Sequence, residues 1–209
     1  ANCNKLLEYA EKNEEVLTGK MRKMIIGEAM ALRAFLHFDM LRLFGPVYAT
    51  NKADLSIPYN TVYSISATSL LPATQVVEKV LKDLDEAERL LGESDPIIEE
   101  GPQNQDSEDG LNYYTYRTQR LNYYAVKALM ARVYLWAGQT PKAGNIANEL
   151  IAHPLLGTNR ILFRLYSDKI TTMSDDYFTV NSENNLQLSL SQNQRKEFYE
   201  TEKYESSDN

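Results

Sequence analysis

His37 and His153 are the two side chains of this chain whose ordinary pKa suits proton transfer near neutrality. His37 stands between Leu36 and Phe38 in an apolar run, so a histidine held in a core or turned to a subunit interface is expected. His153 precedes Pro154 and is expected to end a helix, where a cation meets the last carbonyls. The sequence contains no G-x-S-x-G turn and no Gly-rich phosphate loop. Asp175 and Asp176 are adjacent in polar sequence, whereas a glycosidase needs carboxylates set across a cleft. The acidic run Asp106-Ser107-Glu108-Asp109-Gly110 lacks the alternating ligands and closing Glu of a calcium loop, and a solvated loop is expected. The single cysteine, Cys3, permits no internal disulfide and no metal-ligand spacing. It falls at the start of a helical pattern, where a partly buried thiol is ordinary. No acid, base, nucleophile, metal or cofactor set emerges, so the expectation is a binding protein, not an enzyme.

Binding chemistry is better represented. The chain has 14 tyrosines against one tryptophan, and a tyrosine offers an apolar face with a polar tip. Two groups combine aromatic faces with neutral or acidic hydrogen-bonding neighbours, the composition that sugar stacking requires. They are Tyr113, Tyr114 and Tyr116 around Thr115, and Asp176, Tyr177 and Phe178. Both fall on segments expected to be non-helical. The alternative for these rings is to plug the edge of a helical stack. Trp136, just before a turn, is expected to pack. A net charge of −7 gives no basic face for nucleic acid and disfavours docking on anionic lipid.

Five helices would position these groups. The first covers about Asn2 to Leu17, with Leu6, Leu7, Ala10 and Val16 apolar, and breaks at Thr18-Gly19. The second runs from about Met21 to Phe44 and is apolar on nearly every face. Its expected buried stripe is Ile25, Ala29, Leu32, Leu36, Met40 and Leu43, widened by Phe35, Phe38 and Leu41. Gly45 is expected to end it in the left-handed conformation, before Pro46. A long connection, Tyr48 to Leu71, contains an extended piece at Ile57 to Tyr63. The third helix starts near Pro72 and ends at Gly92. It buries Val76, Val77, Val80, Leu81, Leu84, Ala87 and Leu91, with Asp83 among its water-facing charges. Glu93 to Gly110 reads as a mobile acidic excursion. The fourth helix, about Arg120 to Ala137, stops at Gly138. The fifth takes Thr140 as cap and Pro141 as first residue, and turns Ala143, Ile146, Ala147, Leu150 and Ile151 inward.

Ala131, Tyr134, Gly138, Ala143 and Ala147 follow tetratricopeptide spacing, with Lys127 at the tryptophan-like position as a departure. Ala31 to Ala34 echoes Ala128 to Ala131, which makes the second and third helices an irregular earlier repeat. The fold class is therefore all-α: a tetratricopeptide-like helical-hairpin stack with long irregular loops and an irregular C-terminal segment. The repeat region is expected over 1–154 and the loop-rich segment over 155–209. Spacing alone also admits a generic repeat scaffold that binds a protein or peptide in its groove.

Glu28 to Pro46, E-A-M-A-L-R-A-F-L-H-F-D-M-L-R-L-F-G-P, closely resembles the characteristic helix of the SusD/RagB family. Asn4-Lys5-Leu6-Leu7, Ile57-Pro58-Tyr59, Asp83 to Ala87 and Ala131 to Leu135 resemble further family pieces in the family's order. The resemblance implies a surface lipoprotein of Bacteroidota on the outer membrane. Such a protein captures glycan or another nutrient for a SusC-like TonB-dependent outer-membrane transporter. It also implies a longer protein, anchored through a lipidated N-terminal cysteine absent from this chain, with much of the ligand site in loops outside the repeats.

Overall fold

The computed structural model describes residues 2–153, apart from 65, 67, 102, 104, 108, 109 and 111. Apart from an isolated antiparallel bridge between Leu55 and Pro72, the regular structure of the described residues is helical. In chain order the α-helices are α1 (Asn2–Lys12), α2 (Gly19–Phe44), α3 (Tyr48–Asn51), α4 (Ala73–Gly92), α5 (Ile97–Glu100), α6 (Tyr123–Trp136) and α7 (Thr140–Ala152). A 3-10 turn, Arg117–Gln119, precedes α6. The layers follow the chain: α1 packs on α2, α2 on α4, α4 on α6 and α6 on α7.

The junction of α2 with α4 is the centre of the core. Ala31, Ala34, Phe38 and Leu41 of α2 meet Val76, Val80, Leu84, Ala87 and Leu91 of α4, all buried. Each large apolar side chain taken from water there contributes about 1.5–3 kcal/mol. Small residues let the helices approach. A methyl added at Gly27 would lie 2.9 Å from Leu91 Cγ, so this position has room for a hydrogen atom only. Trp136 closes the stack, edge-on to Phe38 at 5.5 Å and tilted against Tyr48 at 4.8 Å. Ile57 and Tyr59 of the long connection are buried in the same core.

Several expectations are corrected. α1 ends at Lys12, five residues before Leu17. The Asn13 N–H makes the last i→i−4 helical bond to the Tyr9 carbonyl, and the Asn13 side-chain amide donates to the same oxygen, a local side-chain bond of the kind that competes with further helix. Leu6, inside α1, and Val16, beyond its end, are both exposed. On α2, Leu32, Leu36, Met40 and Leu43 are exposed, and the buried row lies one position round the helix. A helix apolar on all faces carries no signal of which face the neighbour covers. Asp83 is buried, not water-facing. Ile151 is exposed, and the cap of α7 is Gln139, with Thr140 already inside the helix. The connection after α2 contains a helical turn, α3. The segment after α4 begins as core: Ser94, Asp95 and Ile97 are buried.

Gly45 is needed for a different reason than expected. Its backbone is extended (φ −79°, ψ 170°), and its N–H donates to the Leu41 carbonyl at 2.8 Å. A Cβ there would fall inside the contact distance of that same carbonyl oxygen. The stop is steric, not left-handed. Gly45→Ala is expected to lower stability by about 1–3 kcal/mol through forced displacement of the last turn. Urea denaturation measures it, and a change below a few tenths would contradict this account. Positive φ falls instead at other glycines, among them Gly19 at +56° before α2 and Gly138 at +75° between α6 and α7.

Candidate functional site

Two buried ion-pair networks shape the surface. The first holds the extended connection against the helices. Arg33, midway along α2, donates Nε to Asp83 Oδ2 at 2.6 Å and Nη2 to Oδ1 at 2.8 Å. The Tyr59 hydroxyl donates to Asp83 Oδ2 at 2.5 Å, and Arg33 Nη1 donates to Asn4 Oδ1 at 3.1 Å. Asn4 Nδ2 in turn donates to the carbonyls of Asn60 and Val62, both at 3.0 Å. Burial opposes the Arg33 charge, but the Asp83 carboxylate outweighs it and holds the guanidinium above its ordinary range. Burial, then Asp83, pushes the Tyr59 phenol upward.

His37 belongs to this network. Its Nδ1 lies 2.8 Å from the Arg33 carbonyl and must donate, while Nε2 accepts from the Asn60 N–H at 3.1 Å. The ring stacks on Tyr59 at 4.1 Å. Only the neutral Nδ1–H form satisfies both bonds, and burial lowers the pKa. A native pKa below the unfolded one means the unfolded chain binds the proton more readily. The stability this site contributes is therefore complete above the unfolded histidine value of about 6.5 and lost as pH falls through it. The expected result is that the urea midpoint advantage of the wild type over His37→Gln shrinks below that pH. An advantage independent of pH would disprove the assignment.

The second network positions the tyrosine loop. Arg117 is fully buried and donates Nε and Nη2 to the two Asp95 oxygens at 2.9 and 2.8 Å, and Nη1 to the Glu28 carboxylate. Burial opposes this charge too, and Asp95 with Glu28 holds it above its ordinary range. Asp95 also accepts the backbone N–H groups of Ile97 (3.2 Å) and Tyr123 (3.0 Å). One carboxylate thus fastens the end of α4, the start of α5, the loop before α6 and the first turn of α6.

The sequence-derived candidates divide on this frame. Tyr114 lines a cleft of about 300 Å³ between the end of α4 and α5, shared with Lys20, Glu93, Glu99 and Glu100. Tyr113 is exposed beside it in sequence but is not part of that lining. Tyr116 is half-buried in a left-handed conformation (φ 52°), and its hydroxyl donates to Asp106 at 3.1 Å. That bond raises its pKa and gives the ring a structural task. Asp106 also accepts from Asn112, so this acidic loop is folded on itself. Among the described residues no cluster of metal-ligating side chains occurs. Asp176, Tyr177 and Phe178 lie outside the described residues.

Sequence reading missed the acidic side of the cleft, having assigned Glu93 to Gly110 to solvent. Lys23 and Arg89 hold Glu93 in place, and with it its carboxyl below the usual range. A signal existed for the buried pairs. An arginine inside A-L-R-A-F-L needs a buried carboxylate, which nothing local supplies. The histidines do no chemistry that the geometry reveals. His153 caps α7 and its Nε2 meets the Tyr124 hydroxyl at 3.0 Å, while burial pushes that phenol up to about 12. Lys127, at the irregular repeat position, is buried. It pairs with Glu149 and, at 3.4 Å, with Glu88.

Residues 1–102 match the SusD-like family described as starch-binding and associating with the outer membrane. A curated SusD-like protein from Formosa agariphila is 39% identical over 66 residues, which are 32% of this chain and 12% of that protein. The fold is similar to a SusD superfamily protein of Bacteroides thetaiotaomicron at 26% identity. The TM-score is 0.57, over 79% of this chain and 31% of that one. A SusD superfamily protein of Bacteroides vulgatus gives 24% identity and a TM-score of 0.58, over 78% of this chain and 33% of that one. This chain therefore spans about a third of the solved relatives it resembles. The family match covers α1 to α5 and includes both partners of the Arg33–Asp83 clamp, so over these residues the chain is similar to SusD-like proteins in sequence and in fold.

Proposed function

We propose that the protein captures glycan without catalysis at the cell-surface side of the outer membrane. It then delivers the glycan to a SusC-like TonB-dependent transporter, as a lipid-anchored member of its family. The match of residues 1–102 to a family described as starch-binding and outer-membrane-associated carries this reading. The helical stack, 1–154 in the sequence reading, is the rigid scaffold. The segment 155–209, with Asp176, Tyr177 and Phe178, is assigned to ligand capture on composition alone. The exposed row Leu32, Leu36, Met40 and Leu43 supports a protein-facing role for the repeats in docking the transporter.

Within the described residues, Tyr114 is the best-placed ligand contact. Its ring borders a cleft with carboxylate acceptors at Glu99 and Glu100, the pairing of stacking face and hydroxyl acceptor that a sugar needs. Isothermal titration against soluble plant and host oligosaccharides tests the reading. Binding is expected, and Tyr114→Ala is expected to weaken it about two- to tenfold, equivalent to ~0.5–1.5 kcal/mol of ring contact. Unchanged affinity in the variant removes Tyr114 from the site. Indifference of the wild type to every glycan removes glycan as the cargo.

A further inference from the structure

A larger cleft lies elsewhere, on the opposite partner of α2. We infer that the space between α1, the first half of α2 and the Thr61–Tyr63 segment is a second carbohydrate site, taking a neutral oligosaccharide. This rests on the glycan-capture reading above but uses different residues. The cleft is about 480 Å³, within the ~300–1,000 Å³ of small-molecule sites.

Three observations give it the chemistry of a sugar site. First, the floor is preorganised. Asn4 and Arg33 are buried there, and their bonds to Asp83, Asn60 and Val62 pin the extended segment to α1 and α4. A ligand meeting this surface orders little on binding, which is where affinity is usually lost. Second, the charges are already matched. Arg33 is neutralised by Asp83, and Glu8 is shared by Lys5 and Lys12 at 3.3 and 2.6 Å. The site therefore offers no bare charge for an ionic ligand except Glu11, an exposed carboxylate suited to accepting hydroxyl protons. Third, the cleft has apolar and aromatic faces. Leu7, Ile26 and Met30 line it, and Tyr63 closes one side while 54% exposed. The Lys5 ammonium lies 5.2 Å over the Tyr63 ring and 4.7 Å over Tyr9, a cation–π contact that modestly favours this placement of the ring. A ring face beside hydroxyl acceptors, with Glu11 the one bare charge in the lining, fits the C–H face and hydroxyl rim of a pyranoside.

The test is amide NMR of the protein titrated with a pool of maltoheptaose, cellohexaose, xylohexaose and laminarihexaose. Resonances of Glu8, Glu11, Thr61 and Tyr63 are expected to shift in the wild type and in Tyr114→Ala, and to lose most of the shift in Tyr63→Ala. Glu11→Gln, an exposed change, is expected to halve the affinity or worse without altering the fold. Shifts confined to Tyr113 through Tyr116 would overturn this site and leave the glycan-capture reading standing. Shifts at the cleft that survive Tyr63→Ala and Glu11→Gln alike would overturn it as well. No shift anywhere would overturn both.

Discussion

Asp83→Ala is expected to remove about 3–5 kcal/mol from the unfolding free energy, the cost of leaving a buried charge without its partner. Arg33 is only 7% exposed and places two of its donors on Asp83. The variant strands that guanidinium and also deprives the Tyr59 hydroxyl of its acceptor. A domain of this kind has about 5–15 kcal/mol in total, so a third or more of the stability is at stake. Urea denaturation followed by circular dichroism measures the loss. The double replacement Arg33→Met with Asp83→Leu is expected to recover part of it, because the buried charge disappears while the Tyr59 hydroxyl and Asn4 Oδ1 still lose their partners. If the single variant loses less than about 1 kcal/mol, water reaches the pair and the clamp does not hold the connection.

Arg117→Met carries a comparable loss, about 3–5 kcal/mol, and its functional consequence falls on the Tyr114 cleft. Asp95 has no exposed side-chain surface, and without Arg117 it keeps only the backbone donors of Ile97 and Tyr123. The loop that carries Tyr114 then loses its anchor three residues on. Faster amide hydrogen exchange from Tyr113 to Gln119 is expected, along with weaker glycan binding at the Tyr114 cleft. Arg117→Lys keeps the charge but not the two-pronged geometry, and is expected to fall between wild type and Arg117→Met. Exchange unchanged in Arg117→Met would show that the loop is held by something else, such as the Tyr116 bonds to Asp106 and to the Gln103 carbonyl.

The two arginines also explain where sequence reading ran out. Helix punctuation was legible because it is local. Pro72 stands at the start of α4, and Gly138 takes the positive φ between α6 and α7, whereas the start of α6, expected near Arg120, lies at Tyr123 behind an Asn122 cap. The amphipathic pattern of α4 identified its buried row for the same reason, since polar residues mark the other side. α2 gave no such contrast: of the stripe chosen from spacing, Ala29, Phe38 and Leu41 are buried, while Leu32, Leu36, Met40 and Leu43 are left uncovered. Asp83 sits among Lys82 and Asp85, so its local company suggests water, whereas its partner lies 50 residues away. Of the binding candidates, Tyr114 came from composition, but the carboxylates across from it and the cleft at Tyr63 depend on which segments meet.

By itself, the sequence determined the helical class, the positions of most helix ends, the tetratricopeptide-like pairing of α6 with α7 and the resemblance to SusD-like proteins. These rest on short-range rules: periodicity, caps, and residue strings that survive without their surroundings. Only the tertiary structure decided which face of α2 is covered and where the buried charges find partners. It alone decided which tyrosines border a cleft and which serve the fold. The physical reason is that burial and ion pairing are properties of contacts between distant segments. A charge is cheap on a helix surface and costly inside, and the local residue string is the same in both cases.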